Sequence, residues 1–189
     1  SMADLLAVLQ ESFREREPNI TVNYSGTGSG AGIEMVLAGA CDIGLSSRPL
    51  KESEIAQGAV AQVAALDGVA VVVNPANPVS DLTVGEIAAV FTGEVADWAE
   101  LGGTPGPIAV YGREAGSGTR GAFEEAIGVS GQCAYTNEYG SSGDVVGGVA
   151  SNPGAIGYTS LSTAGKGVKA LTVGGAACTP ESIRDGSYA

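Results

Sequence analysis

The segment Tyr111-Gly112-Arg113-Glu114-Ala115-Gly116-Ser117-Gly118-Thr119-Arg120-Gly121-Ala122-Phe123 constrains the fold more than any other part of the chain. It opens at the end of an apolar run, Ile108 to Tyr111, with the composition of a buried strand. It turns through Gly116-Ser117-Gly118-Thr119 and continues as a helical pattern over 119–127, with Ala122, Phe123, Ala126 and Ile127 as its apolar positions. A strand, a small-residue turn and a helix in this order make a unit of α/β architecture. Ser117, Gly118 and Thr119 then stand at a helix start. The first amides there have no intrahelical partner, and the helix dipole adds partial positive charge. Small residues let an anion approach that backbone, and Arg113 supplies a full charge nearby. Two readings fit: an oxyanion site, or a plain Ser/Thr N-cap beside a surface arginine.

A second unit of this kind comes earlier. Ile20–Tyr24 alternates like a strand, Ser25-Gly26-Thr27-Gly28-Ser29-Gly30-Ala31-Gly32 is a Gly/Ser loop, and Ile33, Val36 and Leu37 mark the helix after it. The loop lacks the lysine of a P-loop, and its glycine spacing is not the dinucleotide fingerprint. By itself it also reads as a flexible glycine loop.

The remaining pattern alternates in the same way. Leu5, Leu6, Leu9 and Phe13 predict a helix over 3–16, ended by Pro18-Asn19. Asp42 to Leu50 reads as a short strand ending in the hydroxyls of Ser46 and Ser47, then a proline turn and a short helix over Glu52 to Gln57. Val60 to Leu66 and Val69 to Val73 are nearly continuous apolar runs, expected as strands buried on both faces. Pro75 and Pro78 mark a crossover, so the chain is expected to divide into lobes at 1–73 and 74–189. Thr83 and Glu86 have capping-box spacing before Ile87, Ala88, Val90 and Phe91. Ser142 is expected to cap a helix over Asp144 to Ala150, strands are expected at Ala155–Thr159 and Val168–Val173, and Thr179-Pro180-Glu181 opens a terminal helix.

A net charge of −12 argues against nucleic acid and anionic membrane surfaces, both of which need basic patches. An anionic ligand would have to be captured by directed local donors. The chain has no histidine, so no Ser/His or Cys/His pair exists, and Lys51, Lys166 and Lys169 lie far in sequence from the Gly/Ser loops. Its three cysteines have no zinc spacing. No enzyme, metal or cofactor is expected. Cys41 reads as a small buried residue in an apolar strand, whereas Cys133 and Cys178, both in glycine-rich surroundings, are a candidate disulfide implying an oxidising compartment. No run approaches the length of a membrane span and no signal peptide is evident, so the chain reads as a mature form or a piece of a longer one.

Five stretches taken together carry a family resemblance. They are 25–32, Asp42-Ile-Gly-Leu-Ser-Ser-Arg48, Asp67-Gly-Val-Ala-Val-Val-Val-Asn74, Gly112-Arg-Glu-Ala-Gly-Ser-Gly-Thr-Arg120 and Asn152-Pro-Gly-Ala-Ile-Gly-Tyr158. In this order they resemble the substrate-binding proteins of phosphate ABC transporters, of the periplasmic-binding-protein class, over nearly the whole chain. The resemblance implies a type II-like α/β fold: two lobes with mixed sheets flanked by helices and a hinge near Val73 to Pro78. It implies a non-enzymatic, extracytoplasmic protein that holds phosphate or a similar tetrahedral oxyanion between its lobes and delivers it to an ABC transporter permease. A lipid anchor on the full-length precursor is one way such a protein is kept at the cell surface. Carried over position by position, the ligand set is Ser29, Ser47, Arg113, Ser117, Gly118 and Thr119.

Three departures accompany the resemblance. Some members carry an aspartate at the position of Ser47, where it accepts a proton from phosphate; Glu114 is then a candidate acceptor here, or a solvated carboxylate. The family begins with a strand and a Thr/Ser loop that this chain starts at or just after. It also continues beyond the position of Ala189. The first lobe is therefore expected to be incomplete, and to be completed by strand exchange, a partner segment or a second copy. The alternative function is an interaction or assembly module with weakened or lost ligand binding. A phosphate-ester enzyme fits least, because no nucleophile is placed.

Overall fold

The structure, a computed structural model, describes residues 2–165 and 167–188. The chain forms two compact units, one of Ser1–Ala61 with Gly116–Gly118, the other of Gln62–Ala115 with Thr119–Ala189.

Unit one is helical with extended connections. Helix α1 (Ala3–Arg16) forms where the leucine stripe predicts it, but Val8, Leu9 and Phe13 are exposed. Gln10 Nε2 donates to the carbonyl of Val22 at 2.7 Å and ties α1 to the extended 20–24 segment. Helix α2 (Ser29–Leu37) follows Gly28, whose φ of +88° is the reason a glycine stands there. The backbone of residues 44–45 runs directly against α2: a Cβ on Gly32 would come within 2.9 Å of the Leu45 carbonyl oxygen. Helix α3 (Glu52–Ala56) is short, and Glu54 turns back to accept the Lys51 N–H at 2.7 Å. Residues 20–24 and 42–46, expected as strands, make no ladder, and unit one has no strand among its described residues. Isolated extended segments carry no partner for their own N–H and C=O groups, so alternation alone does not make a strand.

Unit two is built on a mixed sheet. Its elements are β1 (Val69–Val73), β2 (Asp81–Leu82), α4 (Val84–Thr92), a 3₁₀ turn at Trp98–Leu101, β3 (Ala109–Arg113), α5 (Gly118–Ala126), β4 (Asn137–Tyr139), α6 (Ser142–Ser151), β5 (Ala155–Ser160), β6 (Lys169–Ala170), β7 (Thr172–Val173) and α7 (Pro180–Asp185). The first residue of α5, Gly118, belongs to unit one. Five strands lie in the order β4-β3-β5-β1-β6. β3 is parallel to β4 and β5, and β1 is antiparallel to β5 and β6. β2 and β7 form a separate parallel pair.

The apolar run of β1 explains its place. Val71 and Val73 point into one core with Ile87, Phe91, Phe123 and Tyr158, from α4, α5 and β5. Ala70 and Val72 point into the other, with Val145, Val146 and Val149 of α6. A strand covered on both faces has no polar position to spare. Full burial of a side chain such as Ile87 or Phe91 stabilises by roughly 1.5–3 kcal/mol. The boundary expected after residue 73 therefore falls inside unit two, because β1 lies between β5 and β6 of its sheet.

Other expectations are also corrected. Residues 60–66 form no strand, and Val60, Val63 and Leu66 are 95, 78 and 73% exposed. The 168–173 run is two short strands, because Leu171 N–H bonds to Val71 while Thr172 N–H bonds to Ser80, so the chain passes from one sheet to the other. Ser141, not Ser142, caps α6. Cys133 and Cys178 are free thiols: Cys133 packs on the α4–α5 side of the sheet and Cys178 on the α6 side. Burial raises both thiols above their usual range, which makes them poor nucleophiles. Cys41 is also free and only half-buried, outside any strand.

Candidate functional site

In unit one, the start of α2 and the start of α5 meet. Ser29 opens α2 and is 5% exposed, and its Oγ accepts the Ser47 N–H at 3.0 Å. Gly30 N–H donates to the Gly116 carbonyl at 3.3 Å, which brings the 116–118 turn against the same spot. A Cβ on Gly118 would overlap Ser29 Oγ and come within 3.0 Å of Ser47 N, so only glycine fits at the first position of α5. Ser117, immediately before the helix, is buried. Four of the six expected ligand residues, Ser29, Ser47, Ser117 and Gly118, thus belong to unit one. The pairing of Ser29 with Ser47 and the close fit of Gly118 are local facts of that unit.

Two further residues belong to unit two. Thr119 is the second residue of α5 and is 4% exposed. Arg113 ends β3 and is 7% exposed. Its Nε donates to Tyr139 O at 3.1 Å and its Nη2 to Gly140 O at 2.8 Å. Nε and Nη2 also grip both oxygens of Glu114, at 3.2 and 2.8 Å. Glu114 is therefore a partner of Arg113, with its side chain still 40% exposed. Nη1 reaches Ser142 Oγ at 3.3 Å, at the first turn of α6. A cation and a helix N-terminus on the same spot favour negative charge there.

The backbone of Arg113 is held by side chains. Its N–H donates to the hydroxyl of Tyr158 at 3.0 Å, and its carbonyl accepts Arg120 Nη1 at 3.0 Å. Arg120 also bonds Glu124 and Glu138, each at 2.8 Å, and lies over the Tyr135 ring. Tyr135 donates to Glu124 Oε1 at 3.0 Å and lies 3.3 Å from the Tyr158 hydroxyl. Burial pushes Tyr158 up to about 12 and Tyr135 still higher, so both phenols stay protonated at neutral pH. Burial alone would raise Glu124, but the Gly131 N–H, Arg120 and Tyr135 together hold it below the usual carboxylate range. From the sequence, Arg120, Glu124, Tyr135, Ser142 and Tyr158 have no role at the site, and Ser142 reads only as a helix cap. Only the i,i+4 spacing of Arg120 and Glu124 could have signalled part of the set.

The donors of the expected ligand set are amides, hydroxyls and the Arg113 guanidinium. Among the described residues no group of three or more acidic, cysteine or histidine side chains is placed to hold a metal ion. Donors of these types can hydrogen-bond an anion.

Comparison with known proteins gives a consistent picture. The phosphate-binding protein PstS of Bacillus subtilis is 33% identical over 192 residues, covering 100% of this chain and 64% of that protein. This chain thus spans less than two thirds of that relative's length. A structure from Clostridium perfringens, described as a phosphate ABC transporter substrate-binding protein with bound phosphate, is 37% identical with a TM-score of 0.94. That match covers 100% of this chain and 78% of the other. An ABC-type phosphate transport receptor from Vibrio cholerae is 34% identical with a TM-score of 0.78, over 99% of this chain and 79% of its own. These names are those of binding and transport proteins, not enzymes. A family profile described as the PBP superfamily domain matches residues 1–188, and on that match, with the mixed α/β sheet flanked by helices, the chain belongs to the PBP superfamily.

Proposed function

We propose that this protein binds inorganic phosphate, or a closely similar tetrahedral oxyanion, as the extracytoplasmic substrate-binding component of an ABC transporter. One observation carries the reading. Ser29, Arg113, Ser117 and Thr119, assigned from the sequence as ligand residues, are all 7% exposed or less. A surface arginine beside a solvated N-cap would not be buried in this way, because burying charged and polar groups is costly unless hydrogen bonds hold them. Similarity to proteins named for phosphate binding supports the choice of ligand. The donors would be the amides at the start of α5, the hydroxyls of Ser29, Ser47, Ser117 and Thr119, and the Arg113 guanidinium. Hydrogen bonds to a charged group contribute roughly 1.5–3 kcal/mol each, enough for tight binding from a few of them. Its transporter partner would be the permease that accepts the released anion.

Calorimetric titration with phosphate, paired with thermal unfolding, tests the proposal. Phosphate at about 100 times its Kd should stabilise the protein by about 2.7 kcal/mol. Arg113→Met should abolish both the heat of binding and the shift. A shift that survives unchanged in Arg113→Met would remove this residue set from the site.

A second reading, self-assembly through exposed apolar segments, is favoured by Ile20, Ile43, Val60, Val63 and Leu66, all at least half exposed. It is compatible with phosphate binding and concerns a different surface.

A further inference from the structure

The hydrogen bonds around Arg113 form a closed loop within unit two. The Arg113 N–H donates to Tyr158 Oη. Tyr135 has one hydroxyl proton, and it goes to Glu124 Oε1, so the proton shared between the two phenols comes from Tyr158. Glu124 accepts Arg120 Nε, and Arg120 Nη1 returns to the Arg113 carbonyl. Two donor chains converge on Glu124, one from the Arg113 N–H through Tyr158 and Tyr135 and one from Arg120, which donates in its other direction to the Arg113 carbonyl. The loop joins both peptide groups of Arg113 to α5, which carries Arg120 and Glu124. Two packing contacts reinforce it. The Tyr158 ring stacks on Phe123 of α5 at 4.1 Å between centroids, and a Cβ on Gly112 would overlap the Tyr135 ring.

The location of the loop is informative. β5 pairs with β3 only as far as Tyr111, so beyond that point the sheet gives Arg113 no neighbour on this side. Tyr158, a side chain of β5, supplies the missing acceptor. Loop closure thus fixes the last residue of β3 against the helix that begins at Gly118. Those two elements carry Arg113 and Thr119.

We propose that Tyr158 and Arg120 are positioning residues for oxyanion binding: they touch no ligand themselves, and they set the place of the Arg113 guanidinium relative to α5. The inference rests on the phosphate reading given above. A guanidinium displaced by a fraction of an ångström keeps its charge but loses the alignment of its hydrogen bonds, which weaken steeply with angle. Tyr158→Phe keeps the ring and its stacking and removes only the oxygen that receives the Arg113 N–H. Arg120→Lys keeps the charge but loses the rigid planar fork that reaches Glu124, Glu138 and the Arg113 carbonyl.

The experiment is a phosphate titration by calorimetry of the wild type, Arg113→Met, Tyr158→Phe and Arg120→Lys. It is accompanied by the amide proton resonance of Arg113 in each folded, unliganded protein. Tyr158→Phe is expected to weaken phosphate binding about tenfold, as loss of one well-made hydrogen bond predicts, and to move the Arg113 amide proton upfield. Arg120→Lys is expected to weaken binding to a similar degree and provides the test if Tyr158→Phe fails to fold. A purely structural role would lower the melting temperature, and move the Arg113 resonance where its acceptor is lost, yet leave phosphate affinity unchanged. That outcome, with wild type binding and Arg113→Met not binding, overturns this inference and leaves the phosphate reading standing. A wild-type protein that gives no heat with phosphate overturns the phosphate reading, and this inference with it.

Discussion

Thr159 lies on β5 with no solvent exposure, and its Oγ1 has no hydrogen-bond partner among the described residues. Its neighbours on the strand are satisfied: Tyr158 joins the loop at Arg113, and Ser160 Oγ donates to Asp67 Oδ2 at 2.5 Å. A buried hydroxyl without a partner loses its hydration for nothing, at a cost of about 1–3 kcal/mol. Thr159→Val replaces that hydroxyl by a methyl of similar size in a strand that favours β-branched residues. The melting temperature measured by calorimetry should rise by about 2–4 °C for each kcal/mol recovered; a fall would mean that the hydroxyl has a partner in solution. Thr159 also shows what a sequence conceals at this scale. Arg113, Ser117, Gly118 and Thr119 could be proposed from the sequence because the chemistry of a helix start is written within a few consecutive residues. Tyr158 was not, because its role depends on a bond to Arg113, 45 positions away. Nothing in the spacing of Tyr135 and Tyr158 distinguishes a hydrogen-bonded pair of phenols from two core aromatics.

Short elements depend on their end groups, and α3 shows how strongly. It has five residues, too few to be stable alone. Arg48 grips both oxygens of Glu54, at 2.9 and 2.7 Å, and Glu54 also accepts the Lys51 N–H. The Arg48 bonds, then the Lys51 amide against an opposing effect of burial, lower the Glu54 carboxyl from 4.5 to about 2. A carboxyl depressed in the folded state contributes stability that is present above its unfolded value and is lost as pH falls to the folded one. Glu54→Gln should therefore cost about 1 kcal/mol at neutral pH, the scale of a partly exposed ion pair. The difference from wild type should close between pH 4.5 and about 2, where the native carboxyl also becomes neutral. Urea unfolding of both proteins across that range checks it; a difference constant with pH would assign the loss to packing instead. Elements with such end signals were the readable ones: Thr83–Glu86 before α4 and Thr179-Pro180 before α7 both form their caps. The 60–66 run was not readable, because an apolar stretch specifies burial without specifying a partner strand. Pairing is a property of the sheet, and 168–173 divides between two sheets for the same reason.

For the whole molecule, a net charge of −12 and a set of exposed apolar side chains act in opposite directions. Val60 is 95% exposed and Val63 78%, in a segment with no strand pairing among the described residues. Extended apolar backbone with open N–H and C=O groups is a template for another chain. Like charge holds copies apart over about 10 Å at 0.1 M salt and over about 30 Å at 0.01 M. Association through the 60–66 segment should therefore be weak at low ionic strength and grow as salt screens the repulsion. Sedimentation velocity over about 1–100 µM protein should show a larger average mass at high concentration and high salt than at low values of either. Changing Val60 and Val63 together to lysine should abolish that dependence. The double variant should still show the phosphate-induced thermal shift, because neither residue belongs to the proposed ligand set. A wild-type protein that remains monomeric throughout would leave the exposed run without a role in self-assembly. Variants that lose both association and phosphate binding would show that the segment supports the fold of the binding region. Salt separates the two surfaces in a further way: screening strengthens contact between like-charged copies, whereas bonds from buried donors to an anion are screened far less.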